Sequence, residues 1–390
     1  MNKTILHTPE GVRDIYDDEI EKRDIIISKA KNLIKSYGYD NISTPTFEYM
    51  DVFCKDFSPE YANKLYKFFD KDGKTLVLRP DFTPSIARAT SKYFTDDKVV
   101  RLTYDGSVFK NNKRYQGRLK ESYQLGGELI GEDSVDADAE VISISVNVLK
   151  ACNITDFKLS IGHADIIKGL FCAHSFTEED AEIINSYMFN HNVYGLQSYL
   201  EGIGSPKKLT KLFAMACVMY TPESKEWQDF LSLSEEYEML HNALNYLDEL
   251  YKVLKIYEVS EFITFEPGRV SEYDYYTGII FAGYTKGYGE SVVVGGRYDN
   301  LMSDFGKERP AIGFGIFIDS LLLALSNQNI KITDKTKKIA VLYNASKRSE
   351  AIIEASARRN KGEYVELIQC DGDFDKKKAE YDDVEIVEIR

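Results

Sequence analysis

Two β-type runs, "VVRLTYDGSVF" (Val99–Phe109) and "YQLGGELIG" (Tyr123–Gly131), flank the basic stretch "KNNKRYQGRLKES". Runs of this length rich in Val, Tyr, Phe and Ile, joined through a glycine-bearing turn, predict a long β-hairpin, and the hairpin commits this part of the chain to an antiparallel sheet. Lys110, Lys113, Arg114 and Arg118 lie around Gly117 at its tip. A basic hairpin in a pocket suits a phosphate, so the chain has either kept a nucleotide site or kept only its shape.

The neighbouring segments fit a sheet with helices. Ile26, Ala30, Leu33, Ile34 and Tyr37 recur at helical spacing across residues 17–37, with Gly38 placed as a C-terminal cap. "YDNISTPTFEYMDVF" carries Pro45 in an extended pattern, which suits an edge strand or strand end. "TLVLRPDFT" reads as a strand and its end, and "DSVDADAEVISISVNVLKACNI" as a helix with acidic residues in its first turn. "DFKLSIGHADIIKGL" predicts a strand over 157–161, a turn at Gly162 and a helix. Residues 176–259 are charge-rich and helical throughout, an insertion with Thr177 as an N-cap. "FITFEPG", "YDYYTGIIFAGYT" and "GESVVVGGRYDNLMSDF" predict a meander, and "PAIGFGIFIDSLLLAL" a strand running into a helix. After the polar linker 327–336, strand–helix–strand order over 337–390 predicts a small α/β tail. The fold class expected is α+β: a large antiparallel sheet flanked by helices, a helical insertion within it, and a short α/β tail.

At 390 residues the chain is too long for one ordinary core. Its formal net charge of −14 argues against general nucleic-acid binding, which needs basic surface. No run approaches the ~20 apolar residues of a membrane span, and "MNKTILHTPEG" lacks a signal-peptide core, so a soluble cytoplasmic protein is expected. Cys54, Cys152, Cys172, Cys217 and Cys370 are scattered, with no zinc spacing; buried reduced thiols are expected, and no metal.

Three short motifs carry chemistry. "LRPDFT" places Asp81 and Thr83 at a strand end, a place to hold an ammonium group, although a capping Asp81 explains it as well. Gln124 and Glu128, four apart on a strand, face one side of it; they suit a polar amino acid or an imidazole, or a solvated strand face. In "YDYYTG" and "VVVGGRYDNLM", Gly295-Gly296 allow close backbone approach while Tyr276 and Tyr298 offer hydroxyls to a cavity; ordinary core tyrosines are the plainer reading.

Taken in order, "TPEGVRD", the Pro45 strand, "LRPDFT", the basic hairpin, "YDYYTG", "GGRYDNLM" and "AIGFGIFIDSL" resemble the motif series of a class II histidyl-tRNA synthetase core across residues 5–325. The resemblance implies that Asp81, Thr83, Gln124, Glu128, Tyr276 and Tyr298 hold histidine. It also exposes departures. Where the synthetase has Phe-Arg-x-Glu, this chain has Lys110 and Asn112; Ser320 stands for the arginine over the ATP phosphates, and Ser271 for the arginine of the histidine motif. Adenylate formation needs cations aimed at the developing phosphate charge, and lysine lacks arginine's planar two-point grip. Arg269 lies two residues before Ser271, a shift of about 6–7 Å along an extended chain.

A synthetase-like core with its phosphate end dismantled and its histidine end kept is similar to the regulatory subunits of ATP phosphoribosyltransferase, and Gly162-His163 points to the same branch. That resemblance implies no synthetase activity and no cofactor. It further implies a homodimer through the core, assembly with the short-form ATP phosphoribosyltransferase catalytic subunit into a hetero-oligomer, and allosteric feedback by L-histidine in histidine biosynthesis. The effector is expected either in the old pocket or at the subunit interface. Residues 337–390 would then be a remnant of an anticodon-binding-type domain, and tRNA binding is not expected. Two other readings remain open: a divergent synthetase or other adenylate-forming enzyme using Lys110 and Arg269, and a tRNA-binding or kinase-regulating paralogue.

Overall fold

The computed structural model describes residues 6–54, 62–96, 98–111, 119–269, 275–332, 338–381 and 384–390. The chain divides into two compact units, Met1–Lys331 and Ile332–Arg390.

The first unit is built on an eight-stranded sheet in the order β1-β5-β6-β11-β10-β9-β7-β8. These strands are β1 (Asp40–Asn41), β5 (Val100–Phe109), β6 (Glu121–Ile130), β7 (Phe157–His163), β8 (Ile263–Phe265), β9 (Ile279–Thr285), β10 (Val293–Arg297) and β11 (Ala311–Phe317). A second sheet, β2-β4-β3, contains β2 (Phe47–Tyr49), β3 (Lys67–Phe69) and β4 (Thr75–Leu78). The long hairpin is present as β5 and β6, ten residues each, with Gly106 opposite Gln124 and Leu102 opposite Glu128. The sheet is mostly antiparallel but mixed: the short edge strands β1 and β8 run parallel to β5 and β7. "FITFEPG" therefore closes an edge instead of opening a meander. Residues 299–305, read as strand, form a 3-10 segment because Gly306 turns left-handed and Asp299 accepts the Ala311 N–H.

Helix α1 (Asp18–Ser36) buries Ile26, Ala30 and Ile34 at four-residue spacing and stops at Gly38, whose φ of 85° a side chain disfavours. Helix α2 is Asp51–Cys54, α3 is Thr83–Tyr93 and α4 is Val135–Ala151, the last capped by Ser134. Helices α1 and α4 cover one sheet face, where Lys31 pairs with Asp105 and Glu140 with Arg101. Helix α3 lies on the other, with Phe82 stacked on Tyr104. The expected turn at Gly162 is absent. Strand β7 continues to His163, which caps α5 (Ala164–Cys172), and glycine is required because a Cβ would meet the Glu266 carbonyl at 2.5 Å.

The helical insertion appears as α6 (Glu178–Phe189), α7 (Val193–Gly202), α8 (Lys207–Ala216), α9 (Lys225–Ser234) and α10 (Glu238–Ile256). Thr177 and Asp180 form a capping box at its start. Helix α11 (Ile318–Asn327) follows β11 directly.

The second unit is a three-stranded parallel sheet, β13-β12-β14, of β12 (Lys338–Tyr343), β13 (Tyr364–Gln369) and β14 (Glu385–Ile389), with α12 (Arg348–Arg359) and α13 (Phe374–Lys378) between strands. It has one helix and one strand more than the strand–helix–strand expected. Cys152, Cys217 and Cys370 are buried free thiols, but Cys172, the last residue of α5, is exposed; the side chain of Cys54 lies outside the described part. No helix among the described residues is long and apolar enough to cross a membrane.

Candidate functional site

The sheet face under α3 carries a cleft of about 300 Å³, measured out to its open mouth. Its floor is nearly free of side chains. On three adjacent strands Gly126, Gly315, Gly313 and Gly296 point the same way as Gln124 and Glu128, because paired residues share a face. A Cβ on Gly313 would lie 1.6 Å from Glu128 Oε2, and one on Gly315 would lie 2.1 Å from Gln124 Nε2. Backbone thus clears the room these two side chains occupy.

Asp81, Thr83, Gln124, Glu128, Tyr276 and Tyr298 all line this one cleft. Glu128 is the most deeply placed, 1% exposed. Its Oε1 accepts from Thr83 Oγ1 at 2.8 Å and its Oε2 from the Tyr298 hydroxyl at 2.5 Å. Burial pushes its carboxyl up to about 8, the Tyr298 and Thr83 hydrogen bonds pulling the other way and the nearby Asp81 charge adding to the rise. At neutral pH such a group readily exchanges a proton with an imidazole. Asp81 accepts from the Phe82 N–H at 2.8 Å and from the Tyr275 hydroxyl at 3.2 Å. At the other end Gln124 donates to the Tyr104 hydroxyl, which in turn donates to the Phe314 carbonyl. The cleft therefore offers two acidic groups and an amide to a small polar cation. Among the described residues no group of His, Cys, Asp and Glu is arranged to hold a metal.

Of the positions read as degenerate, Lys110 and Ser320 are described. Lys110 follows β5, and its N–H donates to the Lys120 carbonyl at 2.9 Å. Ser320 lies in the first turn of α11, with its Oγ 3.0 Å from the Tyr288 hydroxyl. Asn112 and Ser271 lie outside the described residues, as do Lys113, Arg114, Gly117 and Arg118 of the hairpin tip. Arg269 is committed elsewhere: its Nη1 donates to Ser160 at 2.8 Å and Glu266 at 2.5 Å, and its Nη2 to the Tyr284 hydroxyl at 2.9 Å. Ser160 lies on β7, two strands or roughly 10 Å from the cleft wall on β10, so this cation does not address Glu128.

Two features were not anticipated. "TPSIARATSKY" is helix α3, so Thr83 is its first residue and not part of a strand end; Pro84 at the next position was the available signal. The second feature is Arg297, next to Tyr298. Its Nη2 and Nε donate to Asp138 Oδ1 at 2.5 and 3.0 Å, and Tyr246 of the insertion donates to Asp138 Oδ2 at 2.6 Å. Although burial disfavours its charge, Asp138 holds the Arg297 guanidinium above the ordinary arginine value. His163 lies edge-on to Tyr246 with ring centroids 5.6 Å apart; burial pushes it down to about 4, so it caps α5 as a neutral acceptor.

Known proteins resemble this chain in sequence and in fold. A sequence profile of histidyl-tRNA synthetase matches residues 11–321. The ATP phosphoribosyltransferase regulatory subunit of Caldanaerobacter subterraneus is 34% identical over 363 residues, 93% of this chain and 94% of that one. The regulatory subunit of Ruminiclostridium cellulolyticum is 33% identical over 97% of this chain and 90% of its own. A crystal structure described as an ATP phosphoribosyltransferase regulatory subunit/histidyl-tRNA synthetase from Bacillus halodurans superposes with a TM-score of 0.85 at 30% identity, covering 98% of both chains. Histidyl-tRNA synthetase from Nostoc superposes with a TM-score of 0.79 at 19% identity, a likeness that shows the fold alone. The chain therefore belongs to the ATP phosphoribosyltransferase regulatory-subunit family, built on the histidyl-tRNA synthetase core.

Proposed function

We propose that this chain is a non-catalytic, cytoplasmic subunit that binds the short-form ATP phosphoribosyltransferase catalytic subunit, activates it and conveys feedback by L-histidine. Within the family reading, the observation that carries the histidine role is the cleft. It keeps Asp81, Thr83, Gln124, Glu128, Tyr276 and Tyr298 around one small volume, while Ser320 faces Tyr288 where an arginine would grip phosphate. In this reading the ligand's ammonium group meets Asp81 and Thr83, and its imidazole meets Glu128. Residues 337–390 act as a remnant of an anticodon-binding-type domain. Added to its catalytic subunit, the purified chain is expected to raise phosphoribosyl-ATP formation and histidine to reverse the gain. Histidine-dependent ATP–pyrophosphate exchange at synthetase rates would overturn the reading.

A homodimer through the core accompanies this function. Its support is the small sheet, where Phe47, Tyr49 and Phe68 share one face and stand 52%, 49% and 37% exposed, a cluster of aromatics that monomers seldom leave in water. Phe47→Glu combined with Phe68→Glu is expected to halve the mass measured by light scattering. An unchanged mass would remove that face from the dimer contact.

A further inference from the structure

Arg79 is a buried cation with no carboxylate in hydrogen-bonding reach among the described residues, Asp105 acting on it only through space. It is 7% exposed, yet every hydrogen bond it makes in the described structure is to a neutral carbonyl: Nε to Ser107 at 2.8 Å, and Nη1 to Thr44 at 2.9 Å and Pro45 at 3.4 Å. The guanidinium stacks 4.1 Å from the Phe82 ring, which stacks on Tyr104 of the cleft. Removing a guanidinium from water without a neutralising partner is costly, and burial accordingly lowers the Arg79 pKa. The carbonyls and the ring fix the group in place and leave one nitrogen, Nη2, without an acceptor among the described residues.

Nη2 has a defined address. A Cβ on Gly106 would lie 2.5 Å from it, so the guanidinium rests on the Gly106 backbone. Gly106 is the ladder partner of Gln124, which lines the cleft. Directly paired positions lie about 4.5–5.5 Å apart, so Nη2 sits over the strand next to Gln124, at that end of the cleft, although Arg79 itself does not line it. The opposite end carries Glu128 with Thr83 bonded to it, and Asp81 lines the cleft as well. A free amino acid carries one carboxylate besides its ammonium group, and the acidic side chains of the cleft offer it no cation. Arg79 supplies the charge that end requires.

We infer that Arg79 is the carboxylate-recognising residue of the effector cleft, holding the α-carboxylate of the bound amino acid through Nη2 beside Gln124. This inference rests on the reading of the cleft as a histidine site. It assigns recognition of the free amino acid, as opposed to its amine or ester, to a residue outside the six that touch ammonium and imidazole. It also gives Gly106 a role, since any side chain there displaces the guanidinium.

The test is calorimetric titration of the full chain with L-histidine and with histamine, which keeps the imidazole and ammonium groups but lacks the carboxylate. Charge-assisted hydrogen bonds of this kind predict that the unaltered chain binds histidine on the order of 10–100-fold more tightly than histamine. Arg79→Gln is expected to reduce that ratio to about one by weakening histidine alone. Gly106→Ala, which keeps the cation and moves it, is expected to lower the ratio in the same direction and decides the matter if Arg79→Gln fails to fold. An unchanged ratio in a folded variant, or equal loss of both ligands, makes Arg79 a purely structural residue and leaves the histidine site standing. Absence of histidine binding to the unaltered chain defeats the site itself, and the inference with it.

Discussion

Glu128→Gln is expected to raise folding stability at pH 9 by roughly 3–5 kcal/mol relative to the unaltered chain, while weakening the response to histidine. The carboxyl lies about 8 in the folded chain against 4.5 for a free glutamate, because burial penalises its charged form. A group raised in this way contributes its stability in full below about pH 4.5 and loses it as pH climbs through about 8. Glutamine keeps the shape and an oxygen for Thr83 or Tyr298 but has no charge to bury. Urea midpoints from pH 5 to pH 9 therefore separate progressively, with the variant above. Parallel curves would mean that Glu128 titrates normally. Histidine suffers the opposite effect: without the carboxylate its imidazole loses a charged partner, a loss of about 1.5–3 kcal/mol in affinity. In the assembled enzyme this appears as feedback shifted to at least tenfold higher histidine. If feedback is unchanged, the effector binds elsewhere.

Asp138→Ala is expected to cost about 3–5 kcal/mol of stability, because it leaves Arg297 charged and buried without its main partner. Asp299 stays 3.3 Å from Nη1 and the Glu132 carbonyl 3.2 Å, so part of the guanidinium remains satisfied. Tyr246→Phe removes only the hydroxyl that reaches Asp138 from the insertion and is expected to cost about 1 kcal/mol. The two substitutions also differ in reach. Asp138→Ala lowers the whole melting transition of the first unit, whereas Tyr246→Phe speeds hydrogen exchange in α10 first. Equal small losses from both would show that Arg297 is solvated well enough to need no carboxylate.

The long hairpin, α1 with its glycine stop, α4, the insertion and the β11–α11 junction were legible because each has an uninterrupted period and its own terminators. The misreadings fall where long-range contact overrides local pattern. Gly162 looks like a turn, yet it is glycine because the Glu266 carbonyl presses on an extended strand. "FITFEPG" looks like one more antiparallel strand, yet it pairs parallel to β7 across a hundred residues of sequence. The six cleft residues came from their motifs, and the structure brings them to one place. Asp138 looked like an acidic residue favoured at a helix start, and nothing local announces Arg297, 159 residues away. Arg79 is silent in the sequence for the same reason, since its meaning lies in which carbonyls surround it and which nitrogen they leave open.

The glycine floor sets which ways this cleft can change as the sequence drifts. Gly313, Gly315 and Gly126 are already as small as a residue can be, so no substitution deepens the site, and any Cβ there collides with Glu128, Gln124 or the Phe314 carbonyl. Variation is open only at the walls, where trimming Tyr276 widens the cleft, whereas Tyr298 is buried against Glu128. A library randomised at these positions should return glycine along the floor and variety at the rim. Descendants of this chain can thus acquire a broader ligand, but never a deeper one.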